Sequence, residues 1–176
     1  ARKRLSNQIE WYSFQQFVFF TQWQELKNHA HSQGVYLFGD MPFFVAEDSV
    51  EMWAKPEYFV TGDSGRTKYL AGTPPKEDFF CPNKGQCWGN PIYNWKVMQN
   101  EDFSWWIRRM NTLGQLFDIV RLTHFRGFKK CWAIPRSFES SPVPNTGHCE
   151  DVPGESLFET VQHTHNINTI PLWVAE

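Results

Sequence analysis

The chain has 176 residues and a net charge of −2, so it presents no strong field to nucleic acid or to an anionic membrane surface. Hydrophobic residues make up 41% and charged residues 20%, a globular balance rather than a disordered one. The apolar run near the start, Phe17-Val18-Phe19-Phe20, falls far short of the roughly 20 residues needed to cross a bilayer.

A soluble, cytoplasmic protein is therefore expected, with no nucleic-acid partner, no membrane partner and enough material for one domain. The basic start Arg2-Lys3-Arg4 is not followed by the apolar core of a signal peptide. The chain begins at Ala1 and stops at Val174-Ala175-Glu176, inside what read as continuing elements. A fragment of a longer chain is expected.

Over residues 11–30, Phe14, Phe17, Val18, Trp23 and Leu26 recur at roughly helical spacing, and Gly34 is a natural stop. Val35-Tyr36-Leu37-Phe38 then reads as a buried strand that delivers Gly39-Asp40-Met41-Pro42 at its end. Residues 47–95 carry Pro and Gly in clusters and are too long for an ordinary loop between strand and helix. An inserted subdomain that covers the site is expected there.

Helical spacing returns over residues 101–116 through Phe103, Trp106, Ile107, Met110 and Leu113. It feeds an apolar run, Ile119-Val120-Arg121-Leu122, which ends in a polar cluster of Thr123, His124 and Arg126 before Gly127. Buried parallel strands read as near-continuous aliphatic runs, and in α/β barrels their C-terminal ends carry the chemistry. A second excursion over 128–153, a short helix over 154–162 and a third strand over 170–174 follow. The fold class is thus α/β: an incomplete (β/α)8 TIM barrel of about three strands, with an inserted subdomain between the first two. Eight strands close such a barrel, so this material is expected to be marginally foldable alone.

The cysteines Cys81, Cys87, Cys131 and Cys149 show no paired spacing of a zinc site, and His163 and His165 have no further ligands nearby in sequence. No metal and no organic cofactor is expected. Nine tryptophans favour carbohydrate stacking slightly, although tryptophan also fills cores. Asp40 reads either as an acceptor for sugar hydroxyls or as a turn-stabilising aspartate. Gln86, Trp88 and Asn90 lie in a glycine-punctuated loop that suits either sugar binding or loop packing. Arg121 and Arg126 either pair with site carboxylates or brace the fold.

Gly39-Asp40-Met41-Pro42-Phe43-Phe44-Val45-Ala46-Glu47-Asp48-Ser49, Ala71-Gly72-Thr73-Pro74-Pro75, Gly85-Gln86-Cys87-Trp88-Gly89-Asn90-Pro91-Ile92-Tyr93, Arg121 to Gly127, and Val174-Ala175-Glu176 occur in this order. Together they resemble the blocks of the 4-α-glucanotransferases of glycoside hydrolase family 77, the amylomaltases or disproportionating enzymes. The resemblance runs from roughly Phe14 to the last residue.

It implies a catalytic barrel that moves a segment of an α-1,4-glucan donor to glucose or a maltodextrin acceptor, with retention and through a covalent glycosyl-enzyme. Such chemistry uses two carboxyl groups about 5–5.5 Å apart. By the resemblance Glu176 is the general acid/base, Arg121 and His124 flank the nucleophile position, and Asp40, Asp78, Gln86 and Trp88 bind substrate. The family lid reads Pro-Pro-Asp-Tyr-Phe, whereas Lys76 and Glu77 stand before Asp78 here. The family's third carboxylate would lie on a strand after Glu176.

At the nucleophile position the family has aspartate and this chain has Thr123. A neutral hydroxyl is a weak nucleophile unless a base activates it, and His124, adjacent on a strand, points to the opposite face. The expectation is a 4-α-glucanotransferase fragment that does not form the glycosyl-enzyme. The rival expectations are a non-catalytic α-glucan-binding protein, a gene remnant without function and, as a variant of the first, a glucan hydrolase.

Overall fold

The computed structural model describes residues 2–76, 84–137, 141–164 and 172–176. The spaced aromatics of the N-terminal segment form helix α1 (Ser6–Ser32), longer at both ends than its apolar spacing predicted. Gly34 follows it with φ +70°, a backbone state that costs glycine little. Its left-handed turn lets Val35 N–H bond back to Ala30 O at 2.9 Å. α1 buries none of its residues, and its attachments are polar or edgewise. Trp23 Nε1 donates to Leu116 O at 2.8 Å, and the Trp23 ring meets Phe117 edge-on at 5.5 Å.

Strand β1 is Phe38–Met41, so the ladder starts where the apolar run 35–38 was expected to end. The reason lies across the sheet. Leu37 N–H is taken by the Asp118 carboxylate at 2.8 Å, and Leu37 O accepts from Asp118 N–H and Ile119 N–H. Pairing with the next strand therefore begins at Phe38 and runs through Asp40 and Met41.

A short helix α2 (Val50–Ala54), capped by Ser49, follows. Then come β2 (Tyr69–Thr73), β3 (Gln86–Pro91) and the helices α3 (Trp95–Asn100) and α4 (Ser104–Leu116). Strand β4 is Ile119–Leu122, as its aliphatic run predicted. β5 (Lys130–Pro135), β6 (His148–Asp151), α5 (Gly154–His163) and β7 (Leu172–Ala175) complete the order. The expected strand over 170–174 overlaps β7; residues 170 and 171 lie outside the described ones.

Two sheets result. β1, β4 and β7 form a three-stranded parallel sheet in that order, with helices between successive strands. Parallel partners share a face, so Met41, Val120 and Leu122 are buried in a core with Trp106, Met110, Leu157 and Val161. Gly39 has no room for a side chain: an added Cβ would sit 2.2 Å from the Phe117 ring.

The second sheet is antiparallel, in the order β3-β2-β5-β6. Its strands come from both excursions, so the segment between β1 and α4 and the segment after β4 build one layer together. The sequence reading kept them apart.

The join is fastened by a polar knot. Arg136, just past β5, binds the Glu47 carboxylate and donates to Thr67 Oγ1 at 2.9 Å. Thr67 Oγ1 in turn donates to Glu47 at 2.9 Å, and Thr67 is fully buried. A buried hydroxyl that loses its partner costs more than the bond is worth net. Arg136→Gln is expected to lower unfolding free energy by about 1–3 kcal/mol, since the charged bonds are only partly solvent-screened. Lys130→Gln, which breaks an exposed pair with Asp151, is expected to change it by under about 0.5 kcal/mol. Urea denaturation of both variants checks the contrast.

Candidate active site

Side chains two residues apart on a strand share a face, and directly paired residues of parallel strands do so too. Asp40 pairs with Arg121 across β1 and β4, and Arg121 pairs with Val174 of β7. Thr123 follows Arg121 by two residues and Glu176 follows Val174 by two. All four polar side chains thus gather on the face opposite the core. The pairing also continues beyond the strands: Thr123 N–H donates to Met41 O, and Glu176 N–H to Leu122 O.

Arg121 is the centre of this cluster. Its Nε donates to Asp40 Oδ1 at 3.0 Å and its Nη2 to Asp40 Oδ2 at 3.2 Å, a two-point clamp. From its other edge, Nη1 reaches Glu176 Oε2 at 3.5 Å. Thr123 gives its hydroxyl proton to the Asp40 carboxylate. The Arg121 bond, helped by Thr123, outweighs burial and holds the Asp40 carboxyl below the ordinary carboxylate range. The partners of the Asp40 carboxylate are thus the Arg121 and Thr123 side chains of the neighbouring strand and its end.

His124 has φ 55°, left-handed for a residue with a side chain. Its ring stacks on Trp88 at 5.1 Å and 22°, and Trp88 Nε1 donates to Gln86 Oε1 at 2.8 Å. The expectation that His124 would turn away from Thr123 rested on strand alternation. Here the backbone leaves the strand at His124, and Thr123 bonds to Asp40 instead. Asp78 lies outside the described residues, so its placement carries no part of the site.

A pocket of about 280 Å³ opens beside Glu176, walled by Phe44, Trp88, His124, Arg126 and Trp132. Phe44 and Trp132 were not singled out from sequence. Trp132 sits on β5, and its Nε1–H to Pro144 O bond of 2.9 Å fixes the ring. The alternation of Cys131, Trp132, Ala133 and Ile134 was the available signal, and it was hidden inside a segment read as an excursion. Arg126 lines this pocket, while Arg121 takes the carboxylates. Among the described residues no group of three or more metal-ligating side chains gathers.

Comparison with known proteins gives this arrangement a family. The profile of the family described as 4-alpha-glucanotransferase matches residues 1–176. The chain belongs to that family. It is 45% identical over 162 residues to the 4-alpha-glucanotransferase of Thermus thermophilus, covering 92% of this chain and 31% of that protein. The 4-alpha-glucanotransferase of Streptococcus pneumoniae is 39% identical over 161 residues, covering 92% of this chain and 31% of that protein.

Among solved structures, the amylomaltase of Streptococcus agalactiae in complex with acarbose aligns with a TM-score of 0.85 and 36% identity, covering 99% of this chain and 34% of that one. The chain thus spans about a third of the length of the 4-alpha-glucanotransferases it matches. Its mixed parallel and antiparallel sheets are those of an amylomaltase part.

The clamp predicts a titration. Asp40 is held below its unfolded value near 3.9, so its contribution to stability is present above that value and lost as pH falls through the folded one. Arg121→Gln is expected to move the Asp40 carboxyl upward toward the ordinary range. Carbon-detected NMR of the Asp40 side chain against pH reads this directly; an unmoved midpoint would remove Arg121 as the cause.

Proposed function

We propose that this protein is directed at α-1,4-glucans, within a TIM-barrel enzyme of the 4-alpha-glucanotransferase family, and that its site does not form the family's glycosyl-enzyme. Asp40, Gln86 and Trp88 bind the glucan, Glu176 supplies the acid/base carboxyl, and Thr123 occupies the place of the attacking carboxylate. The segment over residues 47–95, joined to the second sheet, covers the substrate. Donor and acceptor are maltodextrins or glucose, and the protein works in the cytoplasm.

One observation carries the loss of covalent chemistry. The Thr123 hydroxyl is spent as a donor to Asp40, a carboxylate already clamped by Arg121. A base so occupied takes a proton poorly, and a neutral hydroxyl attacks poorly without one. Removing the anion also removes electrostatic support for an oxocarbenium-like transition state.

The test is glucan redistribution from maltotriose by the natural protein and by its Thr123→Asp variant. The variant is expected to transfer at least about a hundredfold faster, the scale of one well-placed catalytic group. Equal rates would refute the role given to Thr123. A second reading, a glucan binder without turnover, is favoured by the intact Gln86–Trp88–His124 surface. It predicts maltotriose binding by tryptophan fluorescence in the absence of any product.

A further inference from the structure

A second cleft, of about 340 Å³, opens along helix α4, a volume within the range of about 300–1,000 Å³ of small-molecule sites. Trp105, Arg108, Arg109 and Thr112 line it, and their spacing of three and four residues puts them on one face of the helix. Pro42 and Glu51, from the segment after β1, supply other parts of the wall. None of the residues that line this cleft lines the pocket beside Glu176. The wall is held in place without a ligand. Arg109 Nη2 donates to Pro42 O at 2.6 Å and Nη1 to Phe43 O at 3.3 Å, while the guanidinium lies over the Trp105 ring at 5.2 Å.

The polar groups of the cleft select a ligand class. Two guanidiniums by themselves would suit an anion, which needs only donors. Glu51 brings a carboxylate to the same cleft, and a carboxylate repels an anion. Thr112 adds a second acceptor, because its hydroxyl proton is committed to Arg108 O at 3.0 Å and lone pairs remain on the oxygen. A mixed set of fixed donors and acceptors matches hydroxyl groups, each of which both donates and accepts. Trp105, Pro42 and Leu113 offer apolar surface to the C–H groups of a ring. From this arrangement we infer that the cleft is a second, non-catalytic carbohydrate site that holds a neutral hexosyl ring of an α-1,4-glucan. That the ring is a neutral sugar rests on the cleft; that it belongs to an α-glucan rests on the reading of the active site. Pro42 follows Asp40 by two residues, so the two sites share the end of β1.

The experiment is a maltotriose titration of the natural protein followed by NMR, reading the Thr112 and Leu113 methyl groups for the cleft and the Trp88 indole N–H for the active site. Both methyl signals are expected to move saturably. In Trp88→Ala, which removes the stacking face of the active site, they are expected to move with an unchanged dissociation constant. In Arg108→Gln the constant read at Leu113 is expected to rise at least about tenfold, the scale of a hydrogen bond to a charged group, with the Trp88 response unchanged. Inorganic phosphate is expected to leave both methyl signals where they are.

Methyl signals that stay put while Trp88 responds to maltotriose would overturn the inference and leave the glucan reading of the active site standing. Methyl movement that vanishes in Trp88→Ala would overturn it too, since the change would then come from the active site. Movement with phosphate would make the cleft an anion site and overturn it as well. Methyl movement without any Trp88 response would uphold the cleft and defeat the active-site reading, whereas silence at both would defeat the two together. If Trp88→Ala does not fold, Gln86→Ala takes its place, and Thr112→Val takes that of Arg108→Gln.

Discussion

Asp118 holds together the ends of three elements, and the pairing of Asp40 with Arg121 depends on it. Its carboxylate accepts from the Leu37 amide at 2.8 Å, lies 2.9 Å from His31 Nε2 of α1, and meets Lys27 Nζ at 3.3 Å. Burial opposes its charge, but these partners prevail and hold the carboxyl below its ordinary value. The side chain is mostly shielded, with 14% of its surface exposed, so the attachment is worth more than an open surface pair. By fixing Leu37 against Asp118 it fixes Phe38 against Ile119, and hence Asp40 against Arg121. A slip of one residue would turn Arg121 away from Asp40 and into the core.

That register gathers Asp40, Arg121, Thr123 and Glu176 on one face and leaves the other to Met41, Val120 and Leu122. It also explains what was readable beforehand. The β4 strand and its polar end stood out because an aliphatic run is followed at once by Arg, Thr and His. Strand β1 was read three residues early, because Gly39-Asp40 looks like a turn and only its partner strand makes it a ladder. The merger of two excursions into one antiparallel sheet left no periodic trace. β2 and β5 are paired across a long stretch of chain, and sequence spacing does not encode such pairing. For the same reason the Glu47–Thr67–Arg136 knot and the Trp132 wall went unseen. Family resemblance placed Asp40, Gln86, Trp88, Arg121 and Glu176 as candidates, and the fold brings them to one end of the sheets.

In the proposed reading the chemistry turns on a single replacement set in this frame. Within the 4-alpha-glucanotransferase family two carboxyls work at close range. In this chain the Thr123 hydroxyl, which the proposed reading puts at the attacking position, donates to Asp40, and Asp40 and Glu176 both face Arg121. A guanidinium that faces two anions steadies both. The aromatic pocket beside Glu176 still offers faces for a sugar ring. Under the proposed reading, binding of a glucan and covalent capture of it are separable.

Covalent capture can be looked for directly. Intact-protein mass spectrometry after incubation with 5-fluoro-α-glucosyl fluoride, a reagent that stalls glycosyl-enzymes, tests the central claim at the residue concerned. With site occupancy confirmed by tryptophan fluorescence, the mass of the natural protein should remain that of the unmodified chain. A glucosyl adduct that maps to Thr123 would contradict the account.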